Sequence, residues 1–320
     1  MRLQHSPIGS TRCGVRVRIV TELRYDTISF LSDYGMADEF VGVVKSVIRG
    51  IAPGAVVLDV SHDIAAHDVR SGGLALARAA QYLCPGVVLA VIDPGVGTAR
   101  RAIAVEVGDG ESILIGPDNG LLAPAVAMVG GATRAVELTN ESYHLPAPGP
   151  TFAGRDVFAP AAAYLCLGVD LTELGREIDV MSLRPGIMPL SRNEDGQLHA
   201  EVLWVDRFGN LQLNLGPEDV TFLVEAAELR FGDQVRTARR VRTYDELAVG
   251  QIGLLVDSYG LLSLAANRAP ASVELGLDQG SEVVLVALET PPNGAAGAGA
   301  VSVRIGAPRL SPTTTNPGGH

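Results

Sequence analysis

An aspartate, a glycine-rich turn and two arginines lie close together in Asp93-Pro94-Gly95-Val96-Gly97-Thr98-Ala99-Arg100-Arg101. The segment follows the apolar run 87–91, so the charged groups stand where a buried strand opens into a stiff loop. A carboxylate and a guanidinium held side by side can orient a small nucleophile such as water. Alone, Asp-Pro-Gly is a turn sequence and nothing more. Other polar, glycine-bearing clusters also end apolar runs, however: Ser32-Asp33-Tyr34-Gly35, Pro117-Asp118-Asn119-Gly120, Gly154-Arg155-Asp156 and Asp206-Arg207-Phe208-Gly209-Asn210.

Each cluster also has a plain structural reading. Asp33 and Asp38 flank the start of a helical stretch and read locally as caps, worth about 1 kcal/mol. A carboxylate at a strand end equally suits the two hydroxyls of a ribose. Asn119 reads as a turn residue, because Asn-Gly favours positive φ. His62 and His67 are five residues apart, which is not ligand spacing on a helix or a strand. The chain has no G-x-x-x-x-G-K-[ST] loop, and the glycines at 95 and 97 lack the G-x-G-x-x-G spacing. A G-x-S-x-G elbow and an H-E-x-x-H helix are also missing. The expected chemistry uses positioned polar groups, with no metal and no cofactor.

The elements that must position these groups follow from periodicity. Residues 28–31 read as a buried strand, 38–51 as a helix with a stripe of Phe40, Val43, Val44, Val47, Ile48 and Ile51, and 56–60 as a second apolar strand. An alanine-rich helix over 69–82 and a third strand over 87–92 complete a β-α-β-α-β rhythm, expected to give an α/β domain with a mostly parallel sheet flanked by helices. Ligands of such sheets gather at the carboxyl ends of the strands, where Asp33, the 61–68 segment and Asp93 fall. A hairpin is expected over 102–115 and a helix over 156–167. From 198 onward, short apolar segments and glycine turns with little helical period predict a smaller C-terminal β-barrel-like domain. The expected divisions are an extension over 1–26, the α/β domain over 27–190, the β domain over 196–288 and a flexible tail over 289–320, with one short strand at 301–305.

Composition narrows the partners. The 320 residues carry a formal net charge of −11 and are 47% hydrophobic, which supports real cores and disfavours nucleic acid, since phosphate binding needs clustered Lys and Arg. A cationic or zwitterionic small molecule fits better. Cys13, Cys84 and Cys166 lack metal-ligand spacing, and Cys84 and Cys166 sit in apolar contexts typical of core thiols, pointing to a reducing, cytoplasmic setting. No apolar run has the length of a membrane span.

Together the clusters resemble the S-adenosyl-L-methionine (SAM) hydroxide adenosyltransferases, the adenosine-forming SAM hydrolases that share a fold with the SAM-dependent fluorinase and chlorinase. The resemblance covers residues 27–288. It rests on Ser32-Asp33-Tyr34-Gly35, the segment 93–101, Pro117-Asp118-Asn119-Gly120-Leu121, Thr151-Phe152-Ala153-Gly154-Arg155-Asp156 and Phe208-Gly209-Asn210, in that order. It implies a homotrimer with SAM as substrate, bound between the α/β domain of one subunit and the β domain of its neighbour. It further implies that Asp33 holds the ribose hydroxyls and that His67 and Phe152 wall the pocket. Asp38, Asp206 and Ser258 would engage the methionine end, and Asn210, Asn267 and Arg268 the adenine. In the family, water attacks the ribose C5′ and methionine leaves, with an Asp-Arg-His triad holding that water. Asp93 and Arg100 match its first two members, but Ala153 stands where the family has histidine, which implies an impaired water site. Two alternatives stay open: a chlorinase-like halogenase, against which the Asp93 carboxylate stands because it would repel a halide, and a SAM- or adenosine-binding protein without catalysis.

Overall fold

A computed structural model describes residues 23–223 and 225–288. Its first half alternates β1 (Thr27–Ser32), α1 (Phe40–Ile51), β2 (Val56–Ser61), α2 (Val69–Ala80) and β3 (Val87–Val91). The antiparallel hairpin β4 (Ala102–Val107) and β5 (Ser112–Pro117) follows, then α3 (Ala123–Met128), β6 (Ala132–Glu137), α4 (Ala159–Cys166) and β7 (Arg176–Ile178). The sheet order is β2-β1-β3-β5-β4-β6-β7. β2, β1, β3 and β5 are parallel neighbours, while β4, β6 and β7 add antiparallel pairings at one edge. The mostly parallel α/β architecture expected from the sequence is present.

Both faces of this sheet are covered, which explains the unbroken apolar run of β3, where every residue is buried. Leu89 points into a core with Val44 and Ile48 of α1 and Phe158 and Leu165 beside or on α4. Val88 and Ala90 point the other way, toward Leu76 of α2 and Ala125 of α3. Two expectations shift. α1 buries Val41, Val44 and Ile48, so Phe40 is rotated out of the core. β2 is an edge strand whose Val56 and Leu58 are 55% and 44% exposed, because a short apolar run looks the same at a sheet edge and at its centre. The expected helix over 156–167 is α4 preceded by a wider π-helical turn, Gly154–Phe158.

The second half holds β8 (Arg192–Glu194), β9 (Gln197–Val205), β10 (Leu211–Leu213), β11 (Ala226–Phe231), β12 (Gln234–Arg240), β13 (Ile252–Val256), β14 (Leu262–Ala266), the short helix α5 (Ala271–Leu275) and β15 (Glu282–Ala287). They pair in the order β10-β14-β13-β12-β11-β15-β9-β8, and the further β10–β9 pairing closes all but β8 into a barrel. Closure removes the free edges of an open sheet. The barrel packs on α2: Arg70 Nη2 lies 2.5 Å from Glu201 Oε1, Gln279 Nε2 donates to Ser71 Oγ at 2.6 Å, and the Arg78 guanidinium sits 4.2 Å above the Trp204 ring. Burial lowers the Arg78 pKa to about 10.

Cys166 is a core thiol, pushed up to about 12 by burial and secondarily by Asp26, whereas Cys84 is exposed on the loop entering β3, against the sequence expectation. Cys13, the N-terminal extension up to residue 22, and the tail with its expected strand at 301–305 lie outside the described residues.

Candidate functional site

The loop after β3 folds as its sequence requires. Val96 N–H donates to the Asp93 carbonyl at 3.1 Å, closing the Asp-Pro-Gly turn, and the chain then doubles back to bring Arg100 beside Asp93. Arg100 Nε donates to both Asp93 oxygens, at 2.8 and 3.0 Å, and Nη2 also donates to Oδ2. The pair is nearly buried, with side chains 13% and 7% exposed, and the guanidinium lies 5.3 Å from the Phe158 ring centre. Such a forked, charge-assisted contact fixes the carboxylate in direction as well as in place. Arg101 turns away: its Nε donates to Asp118 Oδ2 at 2.8 Å and its Nη1 to Ser182 Oγ at 3.0 Å, so the second cation anchors the turn at 180–182 that follows β7.

Asp93 opens into a cavity of about 250 Å³ that it shares with Asp33, Tyr34, His67, Phe152 and Ala153. The expected gathering of strand ends is therefore real for Asp33, His67 and Asp93. Phe40, rotated out of the core, reappears here, with its ring 5.0 Å from Phe152 and 5.7 Å from Tyr34. Burial, followed by the charges of Asp33 and Asp93, pushes the Tyr34 hydroxyl above its ordinary pKa, so it stays protonated and able to donate. Gly154 is demanded by that hydroxyl, because a Cβ there would lie 2.1 Å from Tyr34 Oη.

Asp33 does not cap α1, and neither does Asp38: the N-cap position is Glu39, with no side-chain cap. Instead Asp33 Oδ2 accepts the backbone N–H of His67 at 2.9 Å, holding that residue at a left-handed φ of 68°. Its other oxygen is uncommitted among the described residues and is free for a ligand hydroxyl. Asp38 is exposed and lines none of the cavities described here. If that oxygen takes a ribose hydroxyl, as the resemblance implies, Asp33→Ala weakens adenosine binding about 10²-fold, because a charge-assisted hydrogen bond contributes about 1.5–3 kcal/mol. Calorimetric titration reads this, and unchanged affinity would reduce Asp33 to a loop anchor.

A relay that sequence reasoning missed supports this loop. His62 Nδ1 lies 2.8 Å from Ser32 Oγ and Nε2 lies 3.1 Å from Asp59 Oδ1, while Lys45 Nζ reaches Asp59 Oδ2 at 2.6 Å. The residue types are those of a hydrolase triad, but Ser32 is fully buried and cannot meet a substrate. Its Oγ accepts the Tyr34 N–H at 3.3 Å, and the His62 carbonyl accepts the Gly35 N–H at 2.8 Å. The relay therefore sets the backbone that carries Asp33 and Tyr34. Burial alone would raise the Asp59 pKa, but hydrogen bonds from Lys45 and His62 hold it below the ordinary value. The only signal in the sequence is the Asp59 to His62 spacing, which has no meaning until β2 is placed beside β1.

The barrel carries a second cavity, of about 510 Å³, lined by Trp204, Asp206, Phe208, Asn210, Ser258 and Tyr259 among others. Asp206 organises its rim: Oδ1 accepts the N–H groups of Phe208 and Asn210 at 2.8 and 2.9 Å, and Oδ2 accepts Asn210 Nδ2 at 2.8 Å. Gly209 turns this corner at φ 81°, where a Cβ would strike Pro270 Cβ at 2.4 Å. The corner presents Phe208 77% exposed, an apolar face whose role the sequence did not disclose. Gln212, 2% exposed, donates Nε2 to Asp257 Oδ2 at 2.5 Å, which fixes the amide orientation because a carboxylate only accepts; its buried Oε1 has no hydrogen-bond partner among the described residues. Asn267 and Arg268 are not in this wall: Asn267 Nδ2 donates to the Leu247 carbonyl at 2.5 Å, and Arg268 sits in a left-handed turn at φ 57°. Asn119 is the turn residue expected, although the positive φ falls on its neighbour. Gly120 takes the positive φ of the turn, at 95°, while the Asn119 amide ties the Ile92 carbonyl (2.9 Å) to the Leu121 N–H (3.1 Å).

On the far side of the Arg100 and Ala153 wall is a third cavity, of about 680 Å³, bordered by Arg100, Glu141, His144, Ala153 and Asp156. Ala153 thus borders both this space and the Asp33–Asp93 cavity. Among the described residues, no group of three or more His, Cys, Asp or Glu is placed to hold a metal ion, and no helix is long and apolar enough to cross a membrane.

Comparison with known proteins places this architecture. Residues 28–175 match the SAM hydroxide adenosyltransferase N-terminal domain and 200–284 the C-terminal domain of the same family. An (R)-S-adenosyl-L-methionine hydrolase of Salinispora tropica is 43% identical over 81% of this chain and 97% of its own length, and one from Thermus thermophilus is 42% identical over 81% and 99%. A fluorinase of Actinoplanes sp. is more distant, at 30% identity over 81% of this chain and 96% of its own. A crystal structure of an uncharacterized conserved protein from Thermotoga maritima aligns with a TM-score of 0.75 at 32% identity, covering 81% of this chain and 99% of that one. With the fold, the cavity at the strand ends and both domain matches in agreement, the chain belongs to the SAM hydroxide adenosyltransferase family.

Proposed function

We propose that this chain hydrolyses SAM to adenosine and L-methionine, and that Asp93 and Arg100 hold the attacking water. The observation that carries the reading is the buried, forked Asp93–Arg100 pair at the wall of a cavity that also holds Asp33. In this reading Asp33 binds the ribose hydroxyls and Tyr34 and Phe152 enclose the sugar, with C5′ facing Asp93. Water attacks C5′, the C5′–S bond breaks with its electron pair going to sulfur, and methionine leaves. SAM is the substrate and no cofactor takes part; the acidic chain and its sparse cysteines suit the cytoplasm. The Asp93 carboxylate favours water over a halide, because it accepts a hydrogen bond from one and repels the other.

The remainder of the substrate is assigned to the barrel cavity of a neighbouring subunit. Phe208 and Tyr259 offer faces to adenine, Asp206 and Ser258 suit the ammonium-bearing methionine, and the buried Gln212 Oε1 suits a ligand N–H. Within one chain these halves stand apart. α2 runs back from the carboxyl ends of the strands, and it is Arg78 and Tyr82, at its far end, that touch Trp204 and Tyr259. A helix of 12 residues is about 18 Å long. This separation supports sites shared between subunits, and the homotrimer that the resemblance implies would supply them, so sedimentation should give a mass of about three chains. A monomer that binds SAM fully would remove that assembly from the reading.

The test of the reaction is product analysis after incubation with SAM, with and without chloride. Adenosine and methionine in equal amounts are expected in both. A 5′-chlorinated nucleoside would favour the halogenase, and SAM bound but unchanged a binding protein.

A further inference from the structure

Hydrolysis leaves one proton to remove from the attacking water, and the wall behind Asp93 and Arg100 shows where it can go. Arg100 donates to both Asp93 oxygens, leaving a lone pair on each to hold the water, and Ala153, the side chain bordering both cavities, offers only a methyl group. Past Ala153, the cavity of about 680 Å³ is lined, among the described residues, by the imidazole of His144.

His144 is held there by its neighbours. Asn140 Oδ1 accepts the Ser142 N–H at 3.1 Å, starting a short helical turn, and the His144 N–H closes it on the Glu141 carbonyl at 3.0 Å. The Tyr143 ring packs 4.9 Å from Tyr164 of α4 and its hydroxyl donates to Glu173 Oε2 at 3.0 Å. The next residue, Leu145, donates its N–H to the Asp156 carbonyl at 2.9 Å, stitching this segment to the turn that carries Ala153 and Gly154. His144 is half-buried, and neither of its ring nitrogens is hydrogen-bonded among the described residues. The ring is anchored through its backbone and free at its polar atoms.

We propose that His144 is a relay residue for the hydrolysis, taking up the proton of the attacking water through solvent in the cavity that joins it to Ala153 and Arg100. The proposal rests on the hydrolysis reading above. As the C5′–O bond forms and the C5′–S pair departs to methionine, the released proton passes along cavity water to the imidazole and then to bulk. The charged groups facing His144 are Glu141 on its own turn, Arg100 from the loop after β3, and Asp156, which is paired with Arg155 at 2.6 Å. Burial lowers the His144 pKa and outweighs the Glu141 charge that raises it. The ring is therefore neutral and ready to accept a proton at neutral pH.

The experiment is the pH profile of adenosine release under saturating SAM for the wild-type chain, His144→Gln and His144→Ala. Wild-type kcat should fall on an acid limb below the ordinary histidine pKa of about 6.5. His144→Gln should lose that limb and about 10²-fold in kcat, with KM unchanged. Added imidazole, which the open cavity admits, should restore His144→Ala. A His144→Gln protein that keeps both the wild-type kcat and its acid limb overturns the relay while leaving hydrolysis standing. A wild-type chain that releases no adenosine at any pH overturns both.

Discussion

Asp93→Asn should slow adenosine release from bound SAM by about 10²–10³-fold, the loss seen when one positioned polar group is removed from a reacting centre. The substitution keeps the shape of the side chain and changes its charge, which is the property the water site depends on. An amide presents one acceptor oxygen where the carboxylate presents two, and Arg100 Nε now spans both. The variant also strands the Arg100 guanidinium, only 13% exposed, without its counter-charge. Breaking a buried pair of this kind costs about 3 kcal/mol, so the melting temperature should fall as well. Single-turnover rates below that temperature separate the two effects. A variant that is destabilised but turns over SAM at the wild-type rate would leave the pair a structural role alone. The same change removes the repulsion of an anion, so products should also be analysed in chloride.

Much of this site was legible because the chemistry sits where the sequence changes register. Asp33 and Asp93 each follow a short apolar run, and a parallel sheet delivers such positions to one end whatever the loops do. The barrel was legible from short apolar strands and glycine turns, though not the pairing of β10 with β9 that closes it. What stayed hidden depends on contacts remote in sequence. His62 reads as a loop histidine until β1 and β2 lie side by side and Ser32 Oγ meets its ring. Asp33 reads as a cap until the 62–68 segment folds over it and supplies the His67 N–H. His144 carries no motif at all; only the Leu145 to Asp156 hydrogen bond brings it beside the segment that holds Ala153. Asn267 and Arg268 come from the resemblance alone, and in a single chain they do not line the barrel cavity but sit on a turn whose geometry no periodicity encodes.

Ala153→His is expected to raise the single-turnover rate of adenosine release by about 10- to 10²-fold, in the range of a positioned acid or base. The backbone at 153 is helical, with φ −57° and ψ −28°, so an imidazole needs no change of main chain. Because position 153 borders both cavities, the added ring has space and lies between Asp93 and His144. That placement predicts non-additivity. If His144 works through solvent across the gap left by Ala153, an imidazole at 153 takes over the proton, and His144→Gln should then cost little. Coupled groups of this kind show interaction energies of about 0.5–3 kcal/mol in a double-mutant cycle. The four rates, at matched SAM saturation, decide between two arrangements. A large His144→Gln penalty with Ala153 and a small one with histidine at 153 means that both imidazoles serve one proton. Equal penalties in the two backgrounds mean that they act on separate steps. A histidine variant no faster than the wild-type chain means that Asp93 and Arg100 hold the water without help from position 153, and that the alanine there costs the enzyme nothing.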